Sequence, residues 1–123
     1  MMLPVPSAAA PMIVSAAQVR LVLTTAGSRE EAKRIAADLV NERLAACVNL
    51  LPGLSSIYHW QGAVETASEV LLLIKTTADN LDRVEAGIRR MHSYELPEFL
   101  VLTPDAASQA YLDWLLNSTE PLR

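Results

Sequence analysis

At 123 residues, 51% of them apolar, the chain is long enough for one packed domain and too short for two. Ten Lys plus Arg against 14 Asp plus Glu leave a net charge of -4, which repels phosphate backbones, and with a single Phe, Phe99, the strand-borne aromatic pair of an RNA-binding sheet is hard to find, so nucleic acid is not expected as a partner. The lone cysteine, Cys47, excludes an internal disulfide and a thiolate zinc site. No apolar stretch approaches the ~20 residues that span a bilayer, and the first residues lack the positive region of a secretory signal, so a cytoplasmic protein without a membrane partner is expected.

The opening MMLPVPSAAAPMIVSAAQ has no charge, prolines at 4, 6 and 11, and no sustained period, so residues 1–18 are expected to be a flexible N-terminal extension. The domain is expected over residues 19–118, with a short tail at 119–123. RLVLTTA from Arg20 is a short apolar, β-branched run ending at Gly27, as a buried strand should. Ser28 with Glu31 forms a capping box, and Ala32, Ile35, Ala36, Leu39 and Val40 then recur at helical spacing.

An extended run from Ala46 to Trp60 is bent at Pro52-Gly53, where proline removes a ladder donor and glycine permits a bulge. Gln61-Gly62 reverses the chain, and the next run, Val64 to Thr77, contains VLLLIK at 70–75, apolar on both faces like a central strand. Thr77 or Asp79 is expected to cap a second helix with Leu81, Val84, Ile88 and Met91 on one stripe, ending near His92. Phe99 to Thr103 reads as a fourth strand. Asp105 is expected to cap a last helix carrying Ala110, Tyr111, Trp114 and Leu115.

This order predicts an α+β, ferredoxin-like β-α-β-β-α-β fold with an antiparallel sheet, a long hairpin and an extra C-terminal helix. Both main helices then cover one face, leaving the other face of Val70 to Lys75 bare. Two arms of about 15 residues at ~3.3 Å each also make a hairpin that overhangs helices of ~24 Å. An exposed, partly apolar hairpin is an aggregation hazard unless it is paired, so an obligate homo-oligomer is predicted.

The stretches LAACVNLLPGLSSIYHWQG at 44–62, VLLLIKTT at 70–77 and HSYELPEFLVL at 92–102 closely resemble the CutA divalent-cation tolerance proteins, in order from about Val19 to Leu116. The resemblance implies a ferredoxin-like homotrimer in the cytoplasm, a link to copper and other metal tolerance, and kinship with PII-type signalling trimers. It also implies, from some bacterial members, a copper site made of a strand-one cysteine and two adjacent histidines after the second helix. Here Thr24 and Met91 stand at two of those positions and only His92 is kept, so His92 is the candidate metal ligand for copper or another divalent cation, and no cofactor is required. The alternative for His92 is a solvated imidazole at a helix C-terminus.

Lys75 ends an apolar strand and must pair or face a polar cavity, with Glu95 and Glu98 as candidate partners. With Trp60 and Tyr94 they are expected to line an intersubunit pocket for a metal ion or small anion, or else a structural ion pair. Cys47 is expected to be an inert thiol and His59 a packing residue. No GxSxG, HExxH or glycine-rich phosphate loop is present. A binding module is therefore expected rather than an enzyme; the alternative is an acylphosphatase-like hydrolase with Arg29 after the first strand.

Overall fold

The computed structural model describes residues 12–121. Six strands, β1 (Ile13–Ser15), β2 (Val19–Ala26), β3 (Cys47–Trp60), β4 (Ala63–Thr77), β5 (Leu100–Leu102) and β6 (Ala106–Ser108), alternate with α1 (Arg29–Asn41), α2 (Leu81–Met91) and α3 (Gln109–Ser118). The main sheet is antiparallel in the order β3-β4-β2-β5. Its order, with α1 and α2 on one face, is the expected ferredoxin-like arrangement. A separate ribbon pairs β1 with β6.

Alternation along the strands sorts the side chains. Val22, Ala26, Val70, Leu72 and Ile74 face the helices and pack with Ala32, Ile35 and Leu39 of α1 and Val84 and Ile88 of α2. The intervening residues stack in cross-strand rows on the opposite face: Cys47, Lys75, Leu21 and Leu102 in one, Asn49, Leu73, Leu23 and Leu100 in the next, then Leu51, Leu71 and Thr25. Among the described residues no helix covers most of this face, and Leu100 and Leu102 are 54% and 45% exposed.

The hairpin turns as expected. Gln61 and Gly62 both have positive φ, the pattern of a two-residue turn closing the Trp60–Ala63 pair. The register slips between Leu51 and Leu54, so Pro52-Gly53 is a bulge, with Gly53 at φ 81 in the left-handed region. β3 and β4 beyond it project past the helices with Ile57 and Val64 exposed.

Local details depart from expectation for physical reasons. The Ser28 side chain accepts from the Glu31 amide, but the Glu31 carboxylate turns away from the cap to meet Ser93 and His92. A 3-10 turn over Ala78–Asn80 precedes α2, whose N-cap Asn80 makes no side-chain cap bond; its amide reaches instead to the carbonyls of Leu44 and Thr119. Ser108, not Asp105, caps α3, because residues 106–108 are drawn into the ribbon and the Asp105 carbonyl accepts from Ala16.

Within the extension expected over 1–18, the described residues are ordered into the domain. Residues 1–11 lie outside the described residues, but Ile13–Ser15 is β1, and Ala16 is fully buried in a second cluster with Val19, Ala46, Leu112 and Leu115. At the other end, Thr119 is buried and its hydroxyl donates to the Leu115 carbonyl, so the domain runs past 118. Arg43, at positive φ, donates to the Asn117 and Glu120 carbonyls and ties this end to the α1 exit.

Candidate functional site

The segment after α2 is anchored by His92, whose side chain is 0% exposed. Its Nε2 lies 2.7 Å from the Thr25 carbonyl, which can only accept, so Nε2 carries the proton. Nδ1 then accepts from the Tyr94 amide at 3.0 Å, with Glu31 Oε1 3.2 Å away. Ser93 Oγ donates to the same Glu31 oxygen. The start of the loop is thereby fastened to β2 and to the first turn of α1.

This placement corrects the solvated alternative for His92: the ring is buried, and both of its nitrogens are engaged in hydrogen bonds. The two neighbouring positions of the implied copper site also point elsewhere: Met91 packs against the helix-side core, and Thr24 is fully buried there with Oγ1 unpartnered.

Tyr94 carries the loop from this anchor to a pocket. Its ring leans on His92, with centroids 4.6 Å apart, and its hydroxyl donates to Glu69 Oε2 at 2.8 Å. Gly27 leaves room for the Tyr94 ring: a Cβ there would lie 3.2 Å from the Tyr94 hydroxyl, so the ring would have to shift by a few tenths of an ångström. Burial and the Glu69 carboxylate push the Tyr94 phenol well above its ordinary value, so it stays protonated.

The pocket is a cavity of about 840 Å³ at the bulge end of the open face, between the projecting hairpin and the 93–98 loop. Thr25, Ser56 and Glu69 form part of its wall, Tyr58 and Trp60 come from the hairpin, and Tyr94 to Glu98 close it from the loop. Glu69 is 9% exposed. Burial by itself raises its carboxyl, but the hydroxyls of Ser56, Tyr94 and Thr25 together hold it below the usual carboxylate range. Glu98 moves the other way, raised by partial desolvation and by the charge of Glu69.

Of the residues expected at a ligand pocket, Trp60, Tyr94, Glu95 and Glu98 do come together. Lys75 does not. It shares the open face with this site, but it is six strand positions from Glu69, about 20 Å at ~3.3 Å per residue. Its Nζ instead sits 5.6 Å from the Tyr111 ring centroid of α3, a cation-π contact rather than an ion pair with Glu95 or Glu98. Within the single chain, no Lys, Arg or His lines the cavity among the described residues. The deepest residue, Glu69, was not anticipated; an isolated charge immediately before an apolar run was the signal available for it.

Residues 20–118 match the family model of the CutA1 divalent ion tolerance protein. The divalent-cation tolerance protein CutA of Thermus thermophilus is 46% identical over 99 residues, covering 80% of this chain and 96% of that protein. The chloroplastic CutA of Arabidopsis thaliana is 42% identical over 99 residues, again 80% of this chain but 54% of the longer plant protein. Among solved structures, CutA from Synechococcus elongatus superposes with a TM-score of 0.85 at 42% identity, covering 89% of this chain and 96% of that one. The motifs that carried the resemblance and the fold they implied thus agree, and the chain belongs to the CutA1 divalent ion tolerance family.

Proposed function

We propose that the chain is a homotrimeric, cytoplasmic binding module of divalent-cation tolerance that holds a small ligand in the pocket beside the hairpin and turns nothing over. The open leucine face supports this reading most directly. A sheet face carrying Leu21, Leu23, Leu71, Leu73, Leu100 and Leu102 is stable in water only when another surface covers it, and a second and third copy supply the same face by symmetry. The threefold number and the PII-like signalling role come from the family resemblance. The reducing compartment rests on the lone, unpaired Cys47.

An acylphosphatase-like hydrolase needs a cationic cradle for phosphate and a free base. The cavity wall is acidic, the Tyr94 phenol is held protonated, and both His92 nitrogens are engaged, all of which favour binding over catalysis. Copper would reach His92 only if the 92–98 segment opened. Sedimentation equilibrium at micromolar concentration is expected to give three times the chain mass, and calorimetry with Cu(I), Cu(II), Zn(II) and nucleotides reads the ligand class. A stable monomer, or turnover of an acyl phosphate, would sink this reading.

A further inference from the structure

Ser28 and Glu31 are the two ends of a capping box at the start of α1, and only half of the box is closed. Ser28 Oγ accepts from the Glu31 amide at 3.2 Å. The return bond, from the Ser28 amide to the Glu31 carboxylate, is not made among the described residues. Instead Glu31 Oε1 accepts from Ser93 Oγ at 3.1 Å and from the Ser93 amide at 3.4 Å, across to the root of the 93–98 loop.

That docked position is a compromise. Glu31 is 9% exposed, and a carboxylate drawn out of water needs donors. Ser93 supplies two, one of them long. His92 Nδ1, 3.2 Å away, supplies none, because with the proton on Nε2 it is itself an acceptor, already engaged by the Tyr94 amide. Two acceptors therefore face each other. The cap position offers one donor, the Ser28 amide, at the positive end of α1, where Ser28 is exposed to water. Neither position satisfies the carboxylate in full, and rotations about its side-chain bonds convert one into the other. The Tyr94 ring lies beside Gly27, next to this cap, so the loop rests on the turn that the returning carboxylate would complete.

We propose that Glu31 is a two-position latch. On Ser93 it holds the root of the loop against α1; on the Ser28 amide it completes the capping box and lets that root lift. His92 stays fastened to the Thr25 carbonyl and Tyr94 to Glu69 in both positions, which confines the motion to the turn between them. Glu31 is thus a positioning residue for one wall of the cavity, and it acts whatever the cavity holds and however many copies assemble.

Amide hydrogen exchange of the full-length protein at neutral pH, resolved residue by residue by NMR, reads both positions at once. Ser93→Ala removes the shorter bond and is expected to speed exchange at the amide of residue 93 by about tenfold. In the same variant the Ser28 amide should slow by about threefold, because the freed carboxylate returns to it. A contact that only stiffens the loop would not slow exchange at the other end of the box. Glu31→Ala should speed exchange at residues 28 and 93 alike, and in that background Ser93→Ala should no longer slow Ser28. Ser28 exchange unchanged or faster in Ser93→Ala would overturn the proposal, as would a slowing that persists without Glu31. Ser93→Ala removes only a loop hydroxyl, so it decides the matter alone if Glu31→Ala folds poorly.

Discussion

The two faces of the main sheet are built from the same kinds of residue and meet opposite fates. On β4, Leu72 and Ile74 are fully buried under α1 and α2, whereas Leu71 and Leu73, one position away, are only partly covered. The helix face is completed within one chain. The open face is left partly bare by its own chain, and in the proposed trimer its apolar rows pack between copies.

The sharpest way to break that contrast is to charge the open face. Leu73→Asp should leave a folded chain and abolish the trimer, read by sedimentation together with circular dichroism; an unfolded chain would show that the open face stabilises the monomer. The mirror change, Leu72→Ala, should keep assembly and lower unfolding free energy by about 2–5 kcal/mol in denaturant titration.

A smaller effect is expected at the pocket end of the same face. Glu69→Gln removes a carboxylate that accepts the Tyr94 hydroxyl and should cost roughly 1.5–3 kcal/mol at neutral pH. Because the folded carboxyl lies below its ordinary value of 4.5, this contribution is fully present above pH 4.5. It is lost as pH falls through the lower folded value. The gap between parent and variant should therefore close in acid, and a gap independent of pH would count against an ionised Glu69.

The smallest effect has the opposite sign. Thr24 buries an unpartnered hydroxyl on the helix face, so Thr24→Val should stabilise by about 1 kcal/mol in thermal unfolding. No change, or a loss, would mean that Oγ1 has a partner such as a buried water.

Much of the fold was legible because its long elements carry strong periods. Ser28 and the Ile35–Leu39 stripe announce α1, Pro52-Gly53 announces the bulge, and Gln61-Gly62 the turn. The ribbon was not legible, since three-residue strands at Ile13 and Ala106 have no period to read and exist only through each other. The site was half legible. Aromatic and acidic residues in the 94–98 loop marked it, but the pairing of Glu69 with Tyr94 and the turning of Glu31 away from its cap are tertiary facts that spacing does not encode. Lys75 misled for a simple reason: a terminal charge on an apolar strand predicts some partner, and the one it found was the ring of Tyr111.

The pairing of Ile13 with Ser108 closes a loop that runs from the first strand through the whole main sheet and both of its helices. Loop-closure entropy grows only logarithmically with length, so this clasp costs the native state little more than a far shorter one would. Its kinetic character is different, because contacts of such sequence separation slow folding and form after local ones. The clasp should therefore shut late, once β2 and α3 have brought its two halves together. Until then, two short, unpaired edges at Ile13–Ser15 and Ala106–Ser108 stand open on each chain, and each matches its counterpart on a neighbour as well as its own. If the chain assembles as proposed, copies meeting in a crowded solution thus have a route to exchanging N-terminal strands.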